Sequence, residues 1–362
     1  MTPAIFLVVA SLVTHQHQLD APAMHAALVK SLESHKVPAL GAVVIQGDKV
    51  TISVAGVRKH GGKLPVKTTD LWHLGSDSKA MTAMLVAILV HEKKLSYERT
   101  LAQAFPEFAE KMHPDYRRVT LDMLLRHRSG LPGNLPGGWE KIDQKLPIRE
   151  QREKATKILL SAPPEHPPGK EFLYSNAGYM IAGHMAERAC NATWEQLMRK
   201  HVFQPLGMRS AGFGPAGHPD RVEQPWPHEE DGTPVTPGPD GDNPPVMGPA
   251  GRVHVSLQDW ARFIQDLMHG LEGKKALLPQ ECYTRLSQPL KGEEYSVGGW
   301  GRARGALMHD GSNTMNYCTA IVIPERNLAV LVVCNQGGRK VGGEAALEVR
   351  KALLEKVAGK KP

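Results

Sequence analysis

The sequence predicts an α+β fold of two lobes: an antiparallel sheet of the five-stranded type flanked by helices, and a helical lobe set against it. Three observations predict it. β-rich runs lie near both ends of the 362-residue chain, the stretch between them has mostly helical periodicity, and one proline- and glycine-rich break interrupts that middle. Runs at both ends join one sheet most simply as neighbours. The length exceeds the roughly 250–300 residues at which a single core stops growing, which suits two lobes.

Taken in order, the chain opens on "MTPAIFLVVASLVTHQHQ". Its apolar part, Ala4 to Val13, matches a signal-peptide core and is too short to span a bilayer. No Lys or Arg precedes it and no A-x-A site follows it. Residues 1–20 are read as a signal peptide, with a secreted or periplasmic location as the consequence, and residues 21–362 as one domain. Residues 22–37 repeat apolar positions at helical spacing. "GAVVIQGDKVTISVAGVR" gives two strands turning at Gln46-Gly47-Asp48. "HLGSDSKAMTAMLVAILV" begins a helix at Ser76, and "TLDMLLRHRSGLPG" reads as a helix stopped by Gly130 and Pro132. "AGYMIAGHMAERAC", "TWEQLMRKHVFQPLG" and "SLQDWARFIQDLMHG" are further helices, and residues 214–250 form a long proline-rich loop expected at the rim of a pocket. "NYCTAIVI" and "LAVLVVC" flank a turn at Pro324–Asn327, and "EAALEVRKALLEKV" closes the chain as a helix. The sheet lobe then takes about 35–75 and 290–362, and the helical lobe about 76–289, with a cleft between them.

Composition excludes several classes. The chain is 41% apolar and 22% charged, an ordinary globular balance. Its net charge of +7 is spread without a dense cluster or basic–aromatic interleaving, so the charge is read as a solvated surface and nucleic acid is not an expected partner. No stretch beyond the N-terminus reaches transmembrane length, so no stable membrane insertion is expected. The 17 histidines include no H-E-x-x-H, the four cysteines no C-x-x-C, and no glycine-rich phosphate loop follows a strand. No metal or cofactor is expected. Cys318 and Cys334 are expected on neighbouring strands, as free thiols in preference to a bridge. No G-x-S-x-G occurs, which speaks against an α/β-hydrolase.

Chemistry concentrates at Ser76 and Lys79, one helical turn apart on one face. Gly75 before them lets backbone approach, and a helix N-terminus offers free N–H groups and a positive dipole end. A serine there can attack a carbonyl if a base takes its proton, and a lysine beside it can be that base. Alone, the pair is equally a helix cap followed by an ordinary lysine. Three further stretches add weight: "GKEFLYSNAGY" with Tyr174 and Asn176, "LLRHRSGLPG" with His127, and "LMHDGSNTMNY" with His309, Asp310, Gly311 and Ser312. A tyrosine can relay a proton, an asparagine can bond a substrate amide, and His127 is read as shaping the cleft.

With S-x-x-K, Y-x-N and H-x-G in this order, and with "PPGKEFLYSNAGY", "LLRHRSGLP" and "VFQPLGM" around them, roughly residues 35–357 resemble the serine β-lactamase and penicillin-binding protein superfamily. The nearest likeness is to its class C β-lactamase, D-alanyl-D-alanine carboxypeptidase and esterase branch. The resemblance implies a β-lactamase/transpeptidase-like fold, with Ser76 as acylated nucleophile, Lys79 as its activator and Tyr174 as proton shuttle. It further implies that Asn176 orients the substrate amide, that His309 and Gly311 line the cleft from an edge strand, and that the N–H groups of Ser312 and Ser76 form the oxyanion hole. Such a donor is worth about 3–4 kcal/mol of barrier.

Where many members carry K-T-G, His309 and Asp310 replace the first two residues. A histidine is only partly charged near neutral pH, and Asp310 is expected to add negative charge. Both weaken an anion site, which favours neutral esters or amides over β-lactams and free carboxylates. The sequence thus points to a serine hydrolase forming an acyl-enzyme on a small-molecule ester, amide or peptide. The alternative is a penicillin-binding acylated sensor, or a non-catalytic binding module with a relic site. Oligomeric state is not legible.

Overall fold

The computed structural model describes residues 18–358. The apolar stretch read as a signal peptide lies in residues 1–17, outside the described residues. Asp20 caps the first helix, Ala21–His35, by accepting from the Ala23 N–H.

The main sheet uses strands β1 (Ala39–Gln46), β2 (Lys49–Gly56), β6 (Gly301–Ala303), β7 (Ala306–Ser312), β8 (Tyr317–Ile323) and β9 (Leu328–Cys334), in the order β2-β1-β9-β8-β7-β6, all antiparallel. Six strands stand where five were expected. The extra one, β6, is three residues long and charged, so it shows no hydrophobic run to read. It is joined to β7 by Arg304 and Gly305, whose positive φ angles of 49° and 81° suit a tight hairpin.

β1 and β9 are buried on both faces, which explains their unbroken Val, Leu and Ala runs. Leu40, Ala42 and Val44 face one side, against helices Ala21–His35 and Glu344–Val357. Ala39, Val43 and Ile45 face the other, against Leu257–Leu271 and the helical middle. The two-residue period also separates the cysteines. Cys318 lies opposite Val333 and Cys334 opposite Tyr317, so their side chains leave opposite faces and no bridge forms.

In the middle, helix Ser78–His91 is buried along nearly its whole length, which accounts for apolar residues all round it. The helix expected to run to Gly130 spans only Leu121–Leu125, because His127 adopts a left-handed φ of 58° and turns the chain early. A small sheet of β3 (Leu71–His73), β4 (Gly212–Phe213) and β5 (Val253–Ser256), ordered β3-β5-β4, bridges this middle to the entry of helix Ser78–His91. Among the described residues no helix is long and apolar enough to cross a membrane, and no three His, Cys, Asp or Glu are arranged to hold a metal ion.

Candidate active site

Ser76 sits in a 3-10 turn, Gly75–Asp77, that leads into helix Ser78–His91. It caps nothing: neither the turn nor the helix has a side-chain cap bond. The helix-cap alternative therefore fails. Gly75 holds φ at 47°, and a Cβ there would lie 2.4 Å from the Ser312 N. Gly311 is as constrained, since a Cβ would meet the Leu74 carbonyl at 2.1 Å. Glycine at both positions lets β7 lie directly on the Ser76 turn, and the backbone of Ser312 comes beside that of Ser76.

Lys79 is fully buried. Its Nζ lies 3.1 Å from Ser76 Oγ, 2.7 Å from Asn176 Oδ1 and 2.7 Å from the Ala250 carbonyl. Burial drives the amine down to about 7, against a small opposing pull from Asp77. A neutral amine has two N–H groups and one lone pair. The two donors match Asn176 and Ala250, which leaves the lone pair for the Ser76 hydroxyl.

Tyr174 and Asn176 are placed by the residue between them. Ser175 N-caps helix Asn176–Cys190, accepting from the Gly178 N–H at 2.9 Å and donating to the Pro132 carbonyl at 2.6 Å. Tyr174 therefore lies just outside the helix and Asn176 at its first position. The phenol is hydrogen-bonded with Ser76, and its ring lies 4.8 Å from Lys79 Nζ. The Tyr174 side chain keeps 37% exposure, yet desolvation of the phenol is the main influence on its acidity and raises its pKa. Asn176 also donates to Asn134 Oδ1 at 2.9 Å.

His127 accepts the Ser175 N–H on Nδ1 at 2.9 Å and stacks against Tyr174, ring centroids 4.3 Å apart. Burial pushes its pKa well down. With its lone pair committed it shapes the cleft and is no base.

His309 and Gly311 share the face of β7 that meets Ser76. His309 Nδ1 donates to the Gly299 carbonyl, and burial lowers its pKa to about 4. The expected partial charge near neutral pH is thereby corrected: the imidazole is neutral, with Nε2 as an acceptor. Asp310 is corrected too. One residue along a strand reverses the face, so its carboxylate points away from the cleft, accepting from Thr319 Oγ1 at 2.6 Å with Arg350 at 3.5 Å.

Several groups were missed by sequence reasoning. The Ala250 carbonyl comes from the short helix Gly248–Gly251 at the end of the proline-rich segment, which Thr82 ties down by donating to the Pro249 carbonyl. Backbone acceptors leave no trace in residue type. Asn134 and Asp77 were also missed. Asp77 is buried under the turn, where Cys318 Sγ donates to it at 3.1 Å.

A family model described as Beta-lactamase matches residues 17–354. The chain belongs to the beta-lactamase family, within the serine β-lactamase and penicillin-binding protein superfamily. Penicillin-binding protein 4 of Amycolatopsis lactamdurans is 26% identical over 344 residues, covering 90% of this chain and 87% of that protein. Protein flp of Staphylococcus aureus (strain MW2) is 20% identical over 88% of this chain, and the chain spans only 63% of its length. The unguisins hydrolase ungD of Aspergillus violaceofuscus is 23% identical over 66% of this chain and 44% of its own length. Among solved structures, the octameric penicillin-binding protein homologue from Pyrococcus abyssi superposes with a TM-score of 0.72 at 24% identity, over 95% of this chain and 78% of that one. SurE gives 0.74 at 21%, over 94% and 76%. These structural likenesses bear on the fold alone.

Proposed function

We propose that the protein is a serine hydrolase that forms an acyl-enzyme on Ser76 with neutral esters or amides. The contact between Ser76 Oγ and the buried Lys79 amine carries this reading. An amine titrating near 7 is half neutral at physiological pH, and a base poised there combines availability with strength. Lys79 takes the hydroxyl proton as Oγ attacks the carbonyl carbon. The carbonyl oxygen becomes an oxyanion between the N–H groups of Ser76 and Ser312. The proton passes through Tyr174 to the leaving group, the C–O or C–N bond breaks, and water attacks the acyl-enzyme by the reverse route.

The neutral surroundings support neutral substrates. His309 offers a lone pair, not a cation, and Asp310 faces away. Beside β7 lies a cavity of about 410 Å³ where Phe172, Tyr295 and Met308 stand beside the charged Arg126, Arg128, Arg302, Glu293 and Glu294. The Tyr295 ring stands 6.2 Å from that of His309. This cavity would receive a side group of the substrate, with aromatic and charged residues both within reach. A secreted location remains a proposal on the N-terminal sequence alone.

Labelling with a fluorophosphonate tests the reading. Label is expected on Ser76 and is lost in Ser76→Ala. A panel of p-nitrophenyl esters, D-amino-acid amides, D-Ala-D-Ala peptides and nitrocefin, with Ser76→Ala as blank, then ranks substrates. No label and no turnover across that panel would return the protein to the non-catalytic alternative.

A further inference from the structure

The proline-rich segment 214–250 enters the site at a second point besides Ala250. Asp242 is a buried carboxylate whose side chain has no exposure. Oδ1 lies 2.8 Å from His73 Nε2 and accepts from Asn313 Nδ2 at 3.1 Å and from the Asn243 N–H at 2.7 Å. Oδ2 accepts from Arg252 Nε at 3.2 Å.

Two of those partners lead to opposite halves of the oxyanion pocket. His73 ends β3, and its Nδ1 accepts the Gly75 N–H at 3.0 Å. That bond fixes the ring proton on Nε2, which lies 2.8 Å from Asp242 Oδ1 as a close polar contact without the alignment of a hydrogen bond. It also excludes His73 as a base, since its only lone pair is occupied by the backbone beside Ser76. Asn313 directly follows Ser312 and is 3% exposed, with its own oxygen accepting from the Met315 N–H and Asn316 Nδ2. The next residue, Asn243, donates to the Gly251 carbonyl at 2.8 Å, adjoining the Ala250 carbonyl that binds Lys79. Burial alone would push the carboxyl of Asp242 up, but His73, Arg252 and Asn313 outweigh it and hold the group ionised.

We infer that Asp242 is a positioning residue that locks the Ser76 turn and the Ser312 end of β7 at one fixed separation, through His73 on one side and Asn313 on the other. The inference rests on the acyl-enzyme reading above. It gives the long segment a task beyond the pocket rim. The two backbone N–H groups, of Ser76 and Ser312, are 236 residues apart in sequence, and an oxyanion hole works only if its donors are preorganised.

The test compares Asp242→Ala, Asp242→Asn and Asn313→Ala with the unsubstituted full-length chain. Readouts are p-nitrophenyl acetate hydrolysis, fluorophosphonate labelling rate and affinity for phenylboronic acid, which mimics the tetrahedral intermediate on Ser76. Since one oxyanion donor is worth roughly 10²–10³ in kcat, loosening the pair in Asp242→Ala should lower kcat and labelling rate by at least about tenfold. KM should change little, and boronate affinity should fall in proportion to kcat/KM. Asp242→Asn retains an acceptor for His73 and should recover part of the loss. Asn313→Ala, which removes one tie, should show a smaller loss of the same pattern and decides the matter if Asp242→Ala does not fold. A folded Asp242→Ala with unchanged kcat and boronate affinity overturns the inference. So does a uniform rise in KM with kcat intact. Persistent turnover in Ser76→Ala would instead sink the underlying acyl-enzyme reading.

Discussion

Replacing Lys79 by Met should make the protein more stable in acid relative to the native chain, with an advantage that shrinks as pH rises. The ordinary lysine value is 10.5 and the buried amine titrates near 7. That depression means the unfolded chain binds this proton more tightly by a factor of about 10³ to 10⁴, or about 5 kcal/mol at roughly 1.4 kcal/mol per tenfold. The sign follows directly. Between pH 7 and 10.5 the unfolded state carries more protons at this site than the folded state, so native stability rises with pH across that window. Below 7 both states are charged and the full penalty applies. Between pH 6 and 9 this one group should add about 2–3 kcal/mol to native stability, whereas methionine adds nothing. Methionine also fits the buried channel without a charge, although it leaves the Ala250 carbonyl and Asn176 without their donor, which offsets part of the gain at every pH. The slope is therefore the robust quantity. Urea unfolding of both proteins at pH 6, 7.5 and 9 measures it, because titrating groups that do not interact with Lys79 cancel in the difference; Asp77, His127 and His309 feel its charge, and their shifts add to the slope. A stability gap constant to within about 0.5 kcal/mol over that range would refute the claim that burial holds the amine near neutrality.

On the proposed acyl-enzyme reading, the same amine should govern the rate. For a p-nitrophenyl ester, kcat/KM should climb about tenfold per pH unit below 7 and level off above it, as the neutral base fills. His309, lowered to about 4, should contribute no inflection between pH 5 and 8; a second break there, abolished in His309→Gln, would contradict its assigned neutrality. Tyr174→Phe should retain labelling by fluorophosphonate but lose about 10²–10⁴ in kcat, the usual worth of a positioned proton relay; wild-type turnover would remove the phenol from the mechanism. Gly311→Ala places a Cβ 2.1 Å from the Leu74 carbonyl and should cost about 1–3 kcal/mol in urea unfolding as well as activity; an unperturbed protein would show that β7 is free to move off the Ser76 turn.

Residue types at short spacing carried most of what the sequence revealed. Ser76 and Lys79 are three apart at a helix entry, and Tyr174 and Asn176 straddle a serine cap, so local geometry alone brings each pair to one place. The alternation of β7 was legible in principle, since His309 and Gly311 share a face that Asp310 cannot. Residue type alone puts the Asp310 charge in the cleft, whereas its strand position turns it to Thr319 and Arg350 on the other face. The charge state of His309 depends on burial and on the Gly299 carbonyl, neither of which a sequence shows. The strand β6 was missed because "GRA" has no apolar pattern to read. The site groups from the proline-rich segment were missed for a deeper reason: a carbonyl at Ala250 and a carboxylate at Asp242 acquire their roles through contacts with residues far away in sequence, Lys79 for the first and His73 and Asn313 for the second.

Four titratable groups around Ser76 share one tendency. Burial drives Lys79, His127 and His309 down and Asp77 up, in every case toward the uncharged form. The directions are mutually consistent, because a protonated Asp77 leaves Lys79 without a counter-charge and so favours its neutral state. Desolvation dominates over attraction here, as expected where water is excluded and no ion pair is well formed. Burial thus lowers the charge carried around Ser76 without abolishing it, since an amine near 7 is still half protonated at neutral pH; on the acyl-enzyme reading, the charge developing on the carbonyl oxygen would be met by preorganised backbone dipoles. Asp77→Asn tests the point. It removes the carboxyl without removing the side chain that Cys318 contacts. If Asp77 is already uncharged, the acidic limb of the rate profile stays where it is; if it carries charge, losing its pull on Lys79 moves that limb to lower pH by a measurable fraction of a unit or more. A limb displaced to higher pH fits neither state, and would mean that the low pKa of the base depends on Asp77 itself and not on its burial.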